Sequence, residues 1–472
     1  MEVLCSIQFW RNKLAPINRI PPEVLILIPD SWDEHTRSRT AVALTHVCRA
    51  WRELFTSCSS LWTDFDCADA EKTRVYLERS RSSPIKLWLE RSNGLLPRDP
   101  FLQIAPHAVN RLKYLFVETM PDHLQGITDH LSYPAPLLKD LTILGSSEDP
   151  ELNSALATTL FDGDLSSLHA LCLQSVRTQL PWRNMVNLTS FSLIYVLYPR
   201  VSVGQLLDFF ESAPYLLDVK LIFATPNSGA QNGRLVSLGH LRTFYINGFE
   251  PPSLLLDHLL IPAGVKMTTD LDLPGPLIED HLPRSLDNLG NLSGFTKICL
   301  QLENHAASVK FTGPNGEVTM ASSFPESDAT HTVPRSLAQL DTSKTKRLEV
   351  ISDDLLSEDL QRVLLLMENL RSLTLSLCKN LPSLILALYP DLDPVNPIIC
   401  PKLARLVFRT GERFCIKSMV AVAAARASRG APLKFVRIIC RGEPVPGEGV
   451  MELLKHVLNV ETVLENGDNS SV

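Results

Sequence analysis

The sequence predicts an α/β protein, in which a short all-α module precedes an irregular solenoid with parallel strands on its inner face and helices and loops outside. Three observations lead to this prediction. Residues 17–66 carry a proline-led helix start and an apolar stripe at helical spacing. A short apolar motif then recurs ten times along the chain. The length of 472 residues and the hydrophobic content of 45% suit a globular chain of two or three units.

The first helix is predicted to begin at Pro21-Pro22-Glu23. Proline at the first helical position has no N–H to lose, and an acidic residue in the first turn complements the helix dipole. Ile28 is followed by Pro29, and proline inside a helix costs about 3 kcal/mol. We therefore expect this helix to end near Leu27, and the polar run 30–39 to form a connection.

A second helix is predicted from about Thr40 to Phe55. Its apolar residues recur at spacings of three and four, which would place them on one continuous stripe: Leu44, Val47, Cys48, Trp51, Leu54 and Phe55. A module of a few short helices cannot bury this much apolar surface alone. Leu61 and Trp62 directly follow the second helix, and we expect them to pack the module onto the first repeat.

The segment from Ile17 to Leu89 shares these residues with a known family. It resembles the F-box, specifically the F-box-like segment at the front of many fungal proteins. The matching pieces are Pro21-Pro22-Glu23-Val24-Leu25, Leu44-Thr45-His46-Val47-Cys48-Arg49-Ala50-Trp51-Arg52, Leu61-Trp62-Thr63, Tyr76-Leu77-Glu78-Arg79-Ser80 and Ser83-Pro84-Ile85. The Ile28-Pro29 pair departs from the Ile-Phe pair usual in the family. The resemblance implies an adaptor that docks on the Skp subunit of a cullin ubiquitin ligase.

After residue 105 the motif apolar-x-x-apolar-x-apolar recurs, with its first copies roughly 20–30 residues apart. This is the strand signature of leucine-rich repeats, here degenerate because the asparagine that completes the motif is mostly absent. Helix-like stretches such as 204–212 and 359–368 lie between copies. An unrelated α/β fold with many short buried strands is the alternative. The copies begin at Leu112, Leu138, Leu168, Leu188, Leu216, Leu241, Phe295, Leu370, Leu403 and Leu433.

Two regions interrupt this rhythm. Residues 265–273 resemble a repeat strand without a clean motif. Residues 301–345 contain Asn315-Gly316 between two alternating runs, which predicts a β-hairpin, and then a polar stretch at 322–333 that predicts a flexible loop. We expect residues 301–345 to form an insertion that projects from the solenoid.

The resulting domain prediction has five parts. They are an N-terminal extension at 1–16, the F-box-like module at 17–66, a connecting segment at 67–105, the leucine-rich-repeat-like solenoid at 106–462 and a disordered tail at 463–472.

Composition excludes several classes of function. The net charge of −7 has no long block of one sign, unlike a typical nucleic-acid binder. There is no run of eighteen apolar residues, and the ten cysteines show no paired spacing suited to zinc. We expect no secretory signal at the N-terminus. We expect free thiols and an intracellular protein, cytoplasmic and/or nuclear.

Phosphate-binding, zinc-protease and nucleophile-elbow motifs are missing, so the sequence predicts no enzyme, no cofactor and no metal site. The carboxylate pairs Asp270-x-Asp272 and Asp391-x-Asp393 are interpreted as turn acids.

The function predicted first is a substrate-recognition adaptor of a Skp–cullin–F-box type ubiquitin ligase. Trp51 is predicted as the hot spot of the interface with the Skp subunit, whereas core packing within the module is the alternative role for its aliphatic neighbours. The predicted Skp-binding residues are Pro21, Glu23, Val24, Leu25, Ile28, Leu44, Val47, Cys48, Trp51 and Leu54.

A protein substrate would face the outward strand positions, where three arginines could favour an acidic or phosphorylated segment. The predicted substrate-binding residues are Tyr245, Asn247, Arg405, Arg409, Phe435 and Arg437. The alternative function is a leucine-rich-repeat scaffold or inhibitor that acts outside ubiquitination, with the F-box remnant as an N-terminal cap.

Overall fold

A computed structural model gives the conformation of most of the chain. It describes residues 2–28, 34–91, 108–145, 160–176, 185–196, 201–224, 226, 233–272, 278–303, 306–323, 337–352, 355–378, 380–390, 397–410, 414, 416–441 and 444–465. These residues form a mixed α/β structure whose strands pair mostly in parallel. The chain divides into two compact units, which are described separately below: Met1–Val201 with Gln205–Leu216, and Ser202–Gly204 with Leu217–Val472.

The first unit begins with four helices. These are α1 (Glu2–Leu14), α2 (Pro22–Leu27), α3 (Glu34–Thr45) and α4 (Arg49–Ser57), with a 3₁₀ turn at Pro16–Arg19. The predicted end of the first helix at Leu27 is confirmed, whereas Pro29 lies outside the described residues. The prediction that residues 30–39 form a connection is wrong from Glu34 onward, because α3 begins there.

The predicted continuous helix from Thr40 to Phe55 is also wrong, because it breaks at residues 46–48. Cys48 is extended, with φ −159° and ψ 173°, and precedes α4. Thr45, His46, Val47 and Cys48 are all weak helix formers, which explains why the break falls here. The Nε atom of Arg52 donates to the Thr45 carbonyl oxygen at 3.0 Å and satisfies the end of α3.

Six strands of the first unit pair in parallel in the order of the chain. They are β1 (Asp64–Asp66), β2 (Ile85–Arg91), β3 (Leu112–Thr119), β4 (Asp140–Gly145), β5 (Ala170–Gln174) and β6 (Ser190–Ile194). Helices α5 (Ala70–Ser80) and α6 (Pro121–Thr128) lie between them, and a further helix, α7, spans Val203–Ser212. The strands therefore begin at Asp64, inside the range predicted to be all helical. The predicted connecting segment at 67–105 already contains α5 and β2.

The second unit continues the pattern of neighbouring parallel strands with one antiparallel insertion. Its main strands are β7 (Asp218–Ile222), β9 (Thr243–Gly248), β11 (Lys266–Leu271), β12 (Lys297–Glu303), β13 (Ala306–Gly313), β14 (Gly316–Ser323), β15 (Arg347–Ser352), β16 (Ser372–Ser376), β17 (Arg405–Thr410), β18 (Phe435–Cys440) and β19 (Asn459–Leu464). A short separate pair joins β8 (Val236–Ser237) to β10 (Leu259–Leu260). The helices are α8 (Ser253–Leu256), α9 (Ser357–Leu365), α10 (Leu381–Leu386), α11 (Ile416–Ser428) and α12 (Gly447–Leu453).

The predicted hairpin is confirmed, but it does not project from the sheet. Strands β13 and β14 pair antiparallel around Pro314-Asn315, β13 pairs with β12, and β14 pairs in parallel with β11. The hairpin thus inserts two strands between β11 and β12. Gly316, at φ +132°, is needed because a Cβ there would lie 2.7 Å from the Val265 carbonyl oxygen. Residues 322–323 belong to β14, while 324–336 lie outside the described residues.

All ten motif copies place a strand where the sequence predicts one, and the helix-like stretches 204–212 and 359–368 overlap α7 and α9. In each copy the three apolar positions are buried and the residues between them alternate to the opposite face. Residues 265–273 contain β11, as predicted. The predicted tail at 463–472 starts too early, because β19 runs to Leu464; residues 466–472 lie outside the described range.

Candidate docking surfaces

The ten predicted Skp-binding residues divide into a core group and a surface group. Leu25, Leu44 and Trp51 are buried, at 4%, 8% and 8% exposure. The indole Nε1 of Trp51 donates to the side-chain oxygen of Asn18 at 2.6 Å, and its ring packs 5.5 Å from that of Phe55. In this structure Trp51 therefore holds α4 to the turn at Pro16–Arg19.

The surface group includes apolar residues that the described part of the first unit leaves about half exposed. Val24 is 49% exposed and Val47 is 55% exposed, and Pro21 and Glu23 are also exposed. Ile28, Cys48 and Leu54 are half-buried. Leu27, which was not predicted to bind, is 60% exposed.

Helix α1 adds an exposed apolar stripe that sequence reasoning missed. Val3, Ile7, Trp10 and Leu14 recur at helical spacing and are all more than half exposed. The spacing is a sequence signal for such a stripe, whereas the domain prediction assigns residues 1–16 only to an N-terminal extension. Large exposed apolar side chains are thus concentrated in the helices that precede β1.

Leu61 and Trp62 join the preceding helices to α5, which lies in the predicted connecting segment rather than in the first predicted repeat. Both are buried, and the Trp62 indole Nε1 donates to the Phe55 carbonyl oxygen at 2.9 Å. The Trp62 ring meets Tyr76 of α5 edge-on at 5.0 Å, and the Arg79 guanidinium lies over it at 4.2 Å. Helix α3 also packs against β1, so part of the predicted stripe is covered from this side.

The outward face of the first unit carries an aromatic and acidic cluster that the sequence analysis did not identify. The Trp88 ring lies 4.9 Å from Tyr114 and 5.1 Å from Phe116 on the next strand. The indole Nε1 of Trp88 donates to Asp64 at 2.8 Å. The carboxylates on the outward positions around these rings belong to Asp64, Asp66, Glu90, Glu118 and Asp140.

Tyr245 and Asn247, predicted to bind substrate, lie on outward positions of β9 beside Asp270 of β11. The amide Nδ2 of Asn247 donates to the Asp270 carboxylate at 3.1 Å. Burial and the charge of Asp272 raise the pKa of Asp270, and burial with the charge of Asp270 raises the pKa of Tyr245. Asp270 lies in a strand, so its interpretation as a turn acid is wrong; Asp391 and Asp393 lie outside the described residues.

The other four predicted substrate residues lie on neighbouring strands. The Arg405 guanidinium of β17 lies 4.5 Å from the centre of the Phe435 ring of β18. Arg437 contacts the Glu461 carboxylate of β19 at 3.7 Å. Arg409 is exposed near the carboxyl end of β17. The structure therefore brings these four residues onto one part of the second unit's outward face.

The buried ionisable groups of the second unit have structural partners. His281 is completely buried, with one ring nitrogen 2.8 Å from the Thr269 hydroxyl and the other 2.6 Å from the Ser322 hydroxyl. Burial lowers the pKa of His281 to about 3. Arg426 of α11 donates to the carbonyl oxygens of Ile399 and Cys400 at 2.9 and 2.8 Å. Burial raises the pKa of the Cys400 thiol to about 12, which removes it as a nucleophile.

In the described residues, no three His, Cys, Asp or Glu side chains come together to hold a metal ion. A groove of about 390 Å³ lies beside the Asp257–Arg284 ion pair, without a nucleophile and base in hydrogen-bond contact. In the described part of the chain, no helix has both the length and the apolar character needed to cross a bilayer.

Comparison with known proteins adds no assignment. No family model matches the chain, and no curated protein is similar enough to match it.

Proposed function

We propose that this protein is a substrate-recognition adaptor of a Skp–cullin–F-box type ubiquitin ligase. The helices before β1 would dock on the Skp subunit, and the strand-bearing units, taken as degenerate leucine-rich repeats in a solenoid, would bind a protein substrate. Such an adaptor forms no bond itself. It raises the effective concentration of the substrate near the ligase's charged ubiquitin.

The observation that carries the proposal is the exposed apolar surface on the segment that resembles an F-box. Val24 and Val47 are about half exposed, and Leu27 is more so. Apolar side chains concentrated in one small helical segment are typical of a surface that another protein covers. Burying such residues against partner helices would follow the helix-in-groove mode. Trp51 supports this surface from beneath, through Asn18 and Phe55, and its direct contact with a Skp subunit remains a prediction.

One observation favours the alternative function, a repeat scaffold in which the helices act as an N-terminal cap. Leu44, Trp51 and Phe55, three members of the predicted stripe, are already buried within the first unit. A terminal cap is needed wherever stacked repeats would otherwise expose an open end. The two functions differ in what they require of Val24 and Val47, because a cap has no need of them on its surface.

The test is a binding measurement between the purified full chain and a purified Skp subunit. The Val24→Asp, Val47→Asp double variant places charges on two exposed side chains, so we expect it to fold and to weaken binding at least about tenfold. A matched control is the Met451→Asp, Leu458→Asp double variant, which alters two exposed apolar residues at 67% and 81% exposure in the second unit.

Loss of binding in the first variant, with the control unchanged, would support the adaptor. No binding by the folded wild-type chain, or equal binding by both variants, would reject it and favour the capped scaffold.

A further inference from the structure

Part of the second unit's outward face has an excess of positive charge. Arg347 on β15 and Arg405 and Arg409 on β17 define this arginine patch, and all three side chains are exposed. Parallel pairing aligns Arg347 with Ser372 and Ser372 with Arg405, so the Cα atoms of the two arginines lie two strand spacings apart, roughly 10 Å. Arg409 follows four residues further along β17, roughly 13 Å from Arg405.

The three arginines differ from four other cations of the same face, each of which contacts a carboxylate. Lys266 and Lys310 contact Glu317, Lys297 contacts Glu349, and Arg437 contacts Glu461. Among the described residues, no carboxylate forms an ion pair with Arg347, Arg405 or Arg409. The nearby carboxylates of Glu349 and Glu461 already have cationic partners. The positive charge of the patch is therefore not neutralised by the described part of the unit.

Further cations surround the patch. Three exposed residues directly precede β15, β16 and β18, at the amino-terminal edge of these strands: Lys346, Arg371 and Lys434. Lysine and arginine side chains are long and flexible, so these cations can converge on a bound anion. A net charge of −7 for the whole chain makes this local excess more unusual.

The strand between the arginines supplies hydrogen-bonding groups. Ser372, Thr374 and Ser376 occupy the outward positions of β16. The Ser376 hydroxyl is enclosed and has no hydrogen-bond partner among the described residues, and Ser376 pairs with Arg409 in the sheet register. The Arg405 guanidinium is already oriented by stacking on Phe435. Guanidinium groups beside hydroxyls form a suitable environment for carboxylate or phosphoryl oxygens.

We propose that the arginine patch binds an anionic segment of a partner protein in an extended conformation. Rows of outward side chains on parallel strands suit such a segment, and Arg405 and Arg409 are separated by the length of about four extended residues. The charged oxygens could come from Asp and Glu side chains or from a phosphoryl group. A nucleic acid is disfavoured because a longer polyanion would extend onto the acidic remainder of the chain.

This inference deepens the proposed function by giving the chemical class of the substrate segment, and it rests on that function. Its test needs no Skp subunit. A failure here would leave Skp docking intact, and loss of Skp docking would leave peptide binding intact.

The test measures binding of the full chain to fluorescent peptides of one length. One peptide carries glutamates, one carries phosphoserines and one carries glutamines at the same positions; a single-stranded oligonucleotide of equal charge is the fourth probe. We expect the anionic peptides to bind and the glutamine peptide not to bind. The Arg405→Gln, Arg409→Gln double variant should weaken binding about tenfold, the loss expected from two charge-assisted contacts.

The matched control is the Lys220→Gln, Lys266→Gln double variant, which removes two exposed charges from the same face outside the patch. It should bind as the wild type does, and thermal melting should show that both variants are folded. A preference between the glutamate and phosphoserine peptides would identify the source of the oxygens. Equal losses in the two variants, binding of the glutamine peptide, or tighter binding of the oligonucleotide would overturn the proposal.

Discussion

The two units use the same strand pattern but differ in what they bury and what they display. Among the described residues, the first unit buries only serine and threonine as polar side chains, whereas the second buries His281, Asp359 and Arg426. On the outward face, the first unit displays aromatic rings with carboxylates, and the second displays arginines. Strand alternation therefore fixes which positions face outward, while the identity of those residues sets the chemistry of each face.

The two units also differ in how their stability depends on buried polar side chains. The buried ionisable groups of the second unit must be satisfied by specific partners, so we expect its stability to depend on single side chains and on pH. The first unit, among its described residues, buries no Asp, Glu, His, Lys or Arg side chain. Its buried hydroxyls can bond to nearby carbonyl oxygens, as Thr73 does to Asp69 at 2.7 Å.

The largest effect should follow from removing the buried guanidinium of the second unit. Arg426→Met keeps an unbranched side chain but leaves the carbonyl oxygens of Ile399 and Cys400 without their donors. We expect a loss of about 3 kcal/mol in the free energy of unfolding of this unit. Urea unfolding, with hydrogen exchange of the α11 amides as the readout, measures this loss of free energy.

Two controls make this a test of the comparison between the units. Lys417→Met changes an exposed residue of the same helix and should cost no more than about 0.5 kcal/mol. Thr73→Val in the first unit removes a buried hydroxyl and should cost about 1 kcal/mol. If Thr73→Val proves as costly as Arg426→Met, the proposed difference between the two interiors is wrong.

A smaller effect is expected from pH. The pKa of His281 is about 3 in the folded protein, against 6.5 for an ordinary histidine. The unfolded chain therefore takes up a proton below pH 6.5 and the folded chain does not, so stability is complete above pH 6.5 and falls as pH decreases toward 3. The second unit should lose roughly 2 kcal/mol between pH 7 and pH 5.

Urea unfolding at the two pH values, for the wild type and for His281→Gln, measures this loss. The variant lacks the titrating ring, so we expect lower stability at pH 7 but a much smaller change between pH 7 and pH 5. An equal change in both proteins would show that other groups cause the pH dependence.

Much of the strand framework could be predicted from the sequence, and the exceptions have physical reasons. Each of the ten copies recognised by three apolar positions contains a strand. Strand β15 was missed because the first position is Thr345, which is buried but polar. Since β15 was missed, Arg347 was not predicted to join Arg405 and Arg409.

The hairpin and the aromatic cluster show a second kind of limit. Alternation around Asn315-Gly316 predicts two paired strands, but it contains no information on which other strands they pair with. Trp88, Tyr114 and Phe116 likewise come together only through the register of β2 and β3. The break at Cys48 arises from four successive weak helix formers, a local signal that the apolar spacing outweighed in the prediction.

The smallest predicted effect concerns a backbone turn that both units share. Ser175, Tyr195, Phe223 and Leu377 each follow a strand directly and have φ between +46° and +60°. This left-handed conformation costs about 1–2 kcal/mol for a residue with a Cβ atom. Leu377 is 52% exposed, so Leu377→Gly removes the strain and little buried surface. Glycine also increases the entropy of the unfolded chain, which offsets roughly half of the gain. We expect a net stabilisation of about 0.5 kcal/mol, measured by urea unfolding.

Leu365→Gly, at a helical residue of similar exposure, should instead destabilise by about 1 kcal/mol. The shared turn predicts a gain of the same sign for Tyr195→Gly in the first unit; losses in both units would mean that the side chains, rather than the backbone, maintain this turn.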